Sequence, residues 1–128
     1  MVKCKIYFSQ FDSKKINAPV EEGGGWNGEI GQRCLKLTHP LEGNCLDGVN
    51  DCLEHGNFYF LGEIDAESHN EVWSRIQNID SSHELNSRSM MCGDVILLYE
   101  DGCWNGVVCE SIGWSKLNQE LVKKFLKL

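Results

Sequence analysis

The densest group of metal-ligand residue types lies between residues 34 and 55. It consists of three cysteines and two histidines, namely Cys34, His39, Cys45, Cys52 and His55. Thiolates and imidazoles are the ligands of structural zinc sites, although the paired Cys-x2-Cys of a standard zinc finger is absent here. The group therefore predicts either a structural zinc site or a set of cysteines buried as small hydrophobic side chains.

The helix predicted over residues 45–55 limits which of these side chains can share one ion. Cys45 and Cys52 would be about 10 Å apart along its axis, whereas two sulfurs on one tetrahedral zinc lie about 3.7 Å apart. Cys52 and His55 are one turn apart and can act together. The predicted zinc ligands are Cys34, His39, Cys52 and His55. In the alternative, Cys45 and Cys52 are core residues and His55 is a favourable residue at a helix C-terminus.

The other cysteines raise the question of nucleophilic catalysis. The chain has seven cysteines and no signal-peptide hydrophobic region, so we expect a reducing, cytoplasmic location without a disulfide framework. A cysteine nucleophile needs a neighbouring base, usually a histidine. Cys92 precedes a predicted hairpin and Cys103 lies beside its turn, and His69 and His83 precede both, but no spacing fixes a histidine against a cysteine. We assign no catalytic residue, and an enzyme that modifies a host factor through a cysteine is the alternative function.

Two tryptophans are the predicted partner-binding residues. Trp26 lies in a Gly-rich segment, and Trp104 follows an Asp101-Gly102 turn signal. Exposed tryptophans often supply much of the binding energy in protein interfaces. The alternative for Trp26 is that it folds back onto the core.

The surrounding pattern predicts the elements that position these residues. Alternation of apolar residues predicts strands at Cys4–Phe8 and Phe58–Ile64. Asp101-Gly102 predicts a hairpin between Val95–Tyr99 and Gly106–Cys109, and Arg33–Leu37 is a further short strand. Residues 9–32 are predicted as a long Gly-rich loop.

Three segments carry helix signals. Asn44 is the predicted N-cap of the helix 45–55, and Gly56 is its stop. The capping box Ser68-x-x-Glu71 opens a helix to about Asn78. The tail from Ser115 is amphipathic. Together the elements predict a single domain over residues 1–128 with an α+β fold, a four- to five-stranded antiparallel or mixed sheet, and two or three helices.

The C-terminal half carries a motif, S-M-x-x-G-D-V-I, then the hairpin, then V-C-x-S-x-G-W-x-x-L, between Ser89 and Leu117. This motif resembles YodL-like domains, small modules found mostly in phages, plasmids and conjugative elements. The resemblance covers roughly residues 57–117 and leaves 1–56 unassigned. Members more often have Ser-Val where this chain has Met91-Cys92. The resemblance implies a fold, core roles for Cys109 and Trp114, and a mobile genetic element, but no reaction.

Charge and hydropathy narrow the class of function. The formal net charge is −7, from 19 acidic and 12 basic residues, which disfavours direct binding of duplex nucleic acid. The longest apolar run, Val95–Tyr99, is too short to span a membrane. We therefore predict a non-enzymatic protein-binding module that inhibits a defence nuclease, such as a restriction enzyme or a CRISPR effector, through its basic groove. A structural accessory domain without independent activity is a further alternative.

Overall fold

The computed structural model describes residues 1–77, 85 and 87–128. One antiparallel sheet has the strand order β2-β1-β3-β4-β5. Its strands are β1 (Val2–Ser9), β2 (Phe58–Ala66), β3 (Val95–Glu100), β4 (Cys103–Cys109) and β5 (Trp114–Lys116). The helices of the described residues are α1 (Ser13–Ile16), α2 (Glu29–Thr38), α3 (Leu46–Glu54), α4 (His69–Arg75) and α5 (Gln119–Leu126), with a 3-10 turn at Val20–Glu22.

The predicted α+β class and the antiparallel five-stranded sheet are confirmed. The prediction of two or three helices is too low, since the described residues form five. The helix predicted to end near Asn78 ends at Arg75, and Asn78 itself lies outside the described residues. The predicted loop at 79–88 also lies largely outside them.

The predicted strand Arg33–Leu37 is wrong, because these residues lie inside α2. Helical spacing brings Glu29 and Arg33 into an ion pair of 2.7 Å, and Leu37, one turn after Arg33, is fully buried. A Cβ on Gly31 would meet the Gly25 carbonyl oxygen at 2.5 Å. The glycine therefore allows the preceding Gly-rich turn to fold back against α2, and the long loop predicted over 9–32 is wrong as well.

The N-terminus of α3 is capped by a residue distant in sequence. The backbone N–H groups of Cys45 and Leu46 donate to the carboxylate of Glu110, at 2.6 and 3.1 Å. Asn44, the predicted N-cap, precedes the cap position and instead donates its own N–H to Asp47. A carboxylate at a helix N-terminus satisfies unpaired N–H groups and interacts favourably with the helix dipole. Glu110 thereby ties α3 to the end of β4.

The turn between β3 and β4 has the conformation that its sequence predicts. Asp101 has φ 51° and Gly102 has φ 80°, and two successive positive φ values are characteristic of a type I′ hairpin turn. The predicted stop at Gly56, with φ 72°, and the cap of α4 by Ser68 are also confirmed.

The sheet buries a separate apolar cluster on each face. One cluster lies under α3 and α5, where Phe125 contacts Tyr7 and Phe58 with ring centroids 5.1 and 5.0 Å apart. The other lies under α4 and includes Ile6, Phe8, Ile64, Val72, Ile76 and Ile96. Alternate residues of β1 therefore belong to different clusters, as the two-residue period of a strand requires.

A buried ion pair joins the end of β1 to the segment before β3. The carboxylate of Asp94 is fully buried and accepts two bonds from the Arg88 guanidinium, at 2.8 and 2.9 Å. It also accepts the backbone N–H groups of Ser9 and Met91, at 3.0 and 2.8 Å. The bond to Met91 is the local turn predicted for Asp94. The bonds to Ser9 and Arg88 also connect Asp94 to the end of β1 and to the preceding segment, so Asp94 stabilises the sheet as well as the turn.

Among the described residues, no helix has the length and apolar character needed to cross a bilayer.

Asp94→Asn should lower the free energy of unfolding by about 3 kcal/mol, because Arg88 loses its charged partner in a buried network. Chemical denaturation measures the change. The matched control is Glu54→Gln, which removes an exposed ion pair with Lys124 and should cost no more than about 0.5 kcal/mol. Equal losses in the two variants would contradict a structural role for the Asp94 network.

Candidate protein-binding face

Half of one sheet face is not covered by a helix in the described part of the chain. The helix α5 covers the other half, where Val122 and Leu117 lie over Gly106 so closely that an added Cβ would meet them at about 3 Å. Two residues further along the strands from Gly106, three residues are neighbours across the sheet: Lys3 on β1, Tyr99 on β3 and Trp104 on β4. Tyr99 is 44% exposed and Phe60, on β2, is 43% exposed. This half of the sheet therefore presents aromatic rings to solvent.

We name the group Lys5, Phe60, Tyr99 and Trp104 the aromatic face. The Lys5 Nζ atom lies 5.2 Å from the ring centroid of Trp104 and 5.9 Å from that of Phe60. The rings of Tyr99 and Trp104 are 5.2 Å apart. Both distances from Lys5 are within the range of cation–π attraction. The four side chains therefore hold one another in place before any partner binds.

Acidic side chains flank the aromatic face along β2. Glu63 is paired across the strands with Lys5, and Asp65 with Lys3, so all four project from the same side of the sheet. Glu63, Asp65 and Lys3 are exposed. The face therefore combines apolar rings with charges of both signs, with the acidic row at its β2 side.

The predicted partner-binding residue Trp104 belongs to the aromatic face, whereas Trp26 lies in another part of the molecule. Trp26 is 54% exposed in the turn before α2, and its carbonyl oxygen accepts a bond of 2.7 Å from Gln32. Within the described residues, no ring contact links it to Phe60, Tyr99 or Trp104. The alternative that Trp26 packs into the core is wrong.

Of the two cysteines predicted as zinc ligands, Cys52 faces the protein interior and Cys34 is half-buried. Cys52 is fully buried, and its thiol donates to the Arg33 carbonyl oxygen at 3.7 Å. Burial raises the pKa of the Cys52 thiol to about 12 and also raises the pKa of Cys34. Cys34 lies 3.9 Å from the hydroxyl of Thr38. Zinc binds the thiolate, so burial opposes the form of Cys52 and Cys34 that a metal requires.

The two histidines predicted as ligands are exposed and line one open cavity of about 720 Å³ between α2 and α3. The Thr38 hydroxyl donates to the Cys34 carbonyl, so its bond of 2.9 Å with His39 requires a proton on His39 Nδ1. The His55 Nδ1 atom likewise donates to the Asp51 carbonyl at 2.8 Å. Each histidine is therefore left with Nε2 as the nitrogen that could accept a proton or bind an ion.

The structure brings His39 and His55 together without Cys52, which lies on the buried side of α3. Across the described residues, no group of three or more His, Cys, Asp or Glu side chains is placed to hold a metal ion. Zinc binding by the four residues stays a prediction.

A cysteine with an adjacent histidine base is not present among the described residues, where no thiol has a histidine nitrogen as hydrogen-bond partner. His83 lies outside the described residues. The His69 ring makes an edge-on contact with Trp114, with ring centroids 4.9 Å apart, and burial lowers the pKa of His69. The thiols of Cys45 and Cys109 are buried, which raises the pKa of each to about 12.

Sequence reasoning identified Trp104 but missed Lys5, Phe60 and Tyr99 as its neighbours. The strand alternation could have indicated two of them, since a two-residue period allows the side chains of Phe60 and Tyr99 to face solvent. The strand order and register that bring them together are long-range properties. They cannot be obtained from the local pattern.

Comparison of the chain with protein-family models, with curated proteins and with solved structures finds no match.

The buried thiols should make the protein lose stability in alkali. In the unfolded chain they ionise near pH 9.0, whereas in the folded protein Cys45, Cys52 and Cys109 hold their protons to about pH 12. Their stabilising contribution is complete below pH 9 and is lost as the pH rises towards 12. Each thiol adds a slope of about 1.4 kcal/mol per pH unit. When the free energy of unfolding is measured at several pH values above 9, it should fall less steeply with pH for Cys52→Ala than for wild type. Equal slopes would contradict the raised pKa of the Cys52 thiol.

The zinc prediction is decided by elemental analysis of protein purified without a His tag. If the four predicted residues bind zinc, about one ion per chain should be found, and both Cys52→Ser and His55→Ala should release it. Cys109→Ser should retain the ion because Cys109 is not one of the four. A metal-free wild-type protein whose melting temperature does not respond to a chelator would show that the prediction is wrong.

Proposed function

We propose that this protein is a non-enzymatic protein-binding module of a mobile genetic element, and that it inhibits a bacterial defence nuclease. The observation that carries the proposal is the aromatic face, Lys5, Phe60, Tyr99 and Trp104, on a half-sheet that no helix covers in the described residues. Tryptophan and tyrosine dominate binding energy in many interfaces because they bury large, rigid surfaces.

The geometry of the face favours binding because its side chains are already held in place. Lys5 lies between two rings, and Gln119 donates to the Trp104 carbonyl oxygen at 3.2 Å. Side chains that are ordered before association lose less conformational entropy when a partner binds. A rigid strand surface also keeps the relative positions of the rings constant.

The charge of the protein selects the partner. The net charge is −7, and Glu63 and Asp65 lie beside the aromatic rings. A nuclease lines its nucleic-acid channel with Lys and Arg and with aromatic residues that stack on bases. We propose that the aromatic face enters such a groove, with the acidic row against basic side chains. The opposite charges would accelerate association at low ionic strength.

The mobile-element part of the proposal is supported by the resemblance of residues 57–117 to YodL-like domains. The non-enzymatic part is supported by the bonds of three chemistry-bearing residues: His39 bonds to Thr38, and both Cys52 and His55 donate to backbone carbonyl oxygens. A nuclease of a restriction or CRISPR system is the class of host target that a mobile element most needs to inhibit.

The test is co-purification with individual restriction enzymes and CRISPR effectors, followed by affinity measurement for any complex formed. Trp104→Ala should weaken binding about 30-fold or more, as expected for an interface anchor worth about 2 kcal/mol. Trp26→Ala is the control because it removes a side chain of the same type from another, more exposed part of the molecule, and its affinity should equal that of wild type. Rising salt should slow association.

Three results would contradict parts of the proposal. The absence of a complex with every nuclease, together with no protection of phage or plasmid, would exclude the inhibitory function. A complex weakened by Trp26→Ala and not by Trp104→Ala would place the interface at the turn before α2. A single thiol that labels rapidly at neutral pH, and whose Ala variant loses activity, would favour the enzyme that modifies a host factor.

A further inference from the structure

A bulge between the segment before β3 and the end of β4 brings two cysteines together. The backbone N–H of Gly93 donates to the Cys109 carbonyl oxygen at 2.9 Å, and the N–H of Cys109 donates to the Asp94 carbonyl oxygen at 2.9 Å. Gly93 has φ 91°, so two residues oppose one, as in a β-bulge that begins with glycine. The Gly93 nitrogen belongs to the peptide that joins it to Cys92. The backbone of Cys92 therefore lies directly against that of Cys109.

A tight turn fixes Cys92 in this position. The Asp94 N–H donates to the Met91 carbonyl oxygen at 3.1 Å, and the Met91 N–H donates back to the Asp94 carboxylate at 2.8 Å. Cys92 and Gly93 are the central residues, and a positive φ at the second of them is characteristic of a type II turn. Since both ends of the turn are bonded, Cys92 is held beside the end of β4.

The side chains of this region form a group of three thiols, Cys45, Cys92 and Cys109, which we name the thiol cluster. Burial is the main cause of the raised pKa of Cys109, and Cys92 adds to it through its charge and through a side-chain hydrogen bond. Burial and the Glu110 carboxylate raise the pKa of Cys45, with smaller contributions from Cys92 and Cys109. Within the cluster, Cys92 and Cys109 are therefore the pair in direct contact.

The three thiols differ in their access to solvent. Cys92 is half-buried, whereas Cys109 is 4% exposed and Cys45 is 1% exposed. A small oxidant in solution therefore reaches Cys92 first. Burial also keeps Cys109 protonated, and a thiol is a much weaker nucleophile than a thiolate. Cys109 is therefore positioned to react with an oxidised Cys92, but not with the oxidant itself.

We propose that Cys92 and Cys109 are a reversible redox pair, which a hydroperoxide converts into an intramolecular disulfide. The Cys92 sulfur attacks one peroxide oxygen, the O–O bond breaks, and the other oxygen leaves as water or an alcohol. Cys92 is then a sulfenic acid. The Cys109 sulfur attacks the Cys92 sulfur, the S–S bond forms, the S–O bond breaks, and the hydroxyl leaves as water with the proton of Cys109. The peroxide is reduced by the two electrons that the two thiols lose, and a thiol reductant reverses the reaction by exchange.

The disulfide would join two parts of the chain that are already in contact. It would connect the turn that contains Asp94 to the residue before Glu110, the cap of α3. A covalent link between these segments limits the conformations of the unfolded chain and so stabilises the folded one. The oxidised protein should melt about 5 °C or more above the reduced protein. This device is independent of the aromatic face.

The experiment treats the reduced, full-length Cys103→Ser protein with hydrogen peroxide, blocks the remaining thiols with an alkylating reagent after unfolding, and identifies the bonded peptides by mass spectrometry. The exposed Cys103 is removed because it lies between the other two in the chain. A protease that cleaves after glutamate cuts at Glu100 and so separates Cys92 from Cys109. The two peptides should be found joined, in a protein that remains monomeric, and dithiothreitol should separate them.

Variants assign the roles of the two thiols. In Cys92→Ser, Cys109 should remain free for alkylation after peroxide treatment. In Cys109→Ser, the sulfenic acid should persist on Cys92 and be trapped by dimedone. Cys34→Ser is the matched control, because Cys34 is also half-buried but lies in α2, and it should form the disulfide as the parent protein does. Cys92→Ser keeps the test valid should Cys109→Ser fail to fold.

Several outcomes would overturn the proposal. Peroxide-treated protein in which Cys92 and Cys109 both remain free would show that the pair does not react. A bond from Cys92 to Cys45 would assign the second role to the wrong thiol. Bonds formed only between different molecules would exclude an intramolecular device, and an oxidised protein that melts no higher than the reduced one would exclude its stabilising effect. None of these results bears on the nuclease proposal, which the Trp104→Ala measurement tests on another surface.

Discussion

The burial of one carboxylate, that of Asp94, imposes the constraint on which the rest of the structure depends. A buried carboxylate is costly unless every oxygen is bonded and its charge is balanced. Here Arg88 supplies the charge, while Ser9 and Met91 supply backbone donors. Since these groups come from the end of β1 and from the segment before β3, the carboxylate can be satisfied only when the two central strands are aligned. The Arg88 guanidinium also lies 4.2 Å from the ring centroid of Phe8 and so covers the apolar cluster under α4.

Alignment of the central strands determines which part of the sheet is covered. The helices α3 and α5 pack on the half near Tyr7 and Val95, and Glu110 holds the N-terminus of α3 to the same end of the sheet. The opposite half keeps Tyr99 and Trp104 as cross-strand neighbours, with Tyr99 exposed and Trp104 half-buried at the edge of the cluster under α5. The aromatic face is therefore a consequence of where the helices are anchored. Its aromatic residues are of types that strands favour.

Features that depend on a few neighbouring residues could be predicted from the sequence. Asp101-Gly102, the capping residue Ser68 and the stop at Gly56 act through local backbone geometry, and each has the predicted conformation. Features that depend on distant residues could not. The cap of α3 comes from Glu110, although Asn44 has the residue type and position of a local cap. Residues 33–37 look like a strand by composition, but packing of Leu37 in the core and the close approach allowed by Gly31 favour a helix.

The central position of β1 has a consequence for biosynthesis. Of the five strands of this sheet it leaves the ribosome first, yet it pairs with β2 on one side and β3 on the other, so neither edge is covered until both have been made. Until Phe58–Ala66 and Val95–Glu100 have been made, the nascent chain carries an apolar strand with two open edges. Such a strand pairs readily with other chains. Pairing of β1 with other chains therefore competes with folding until its two neighbouring strands have been made.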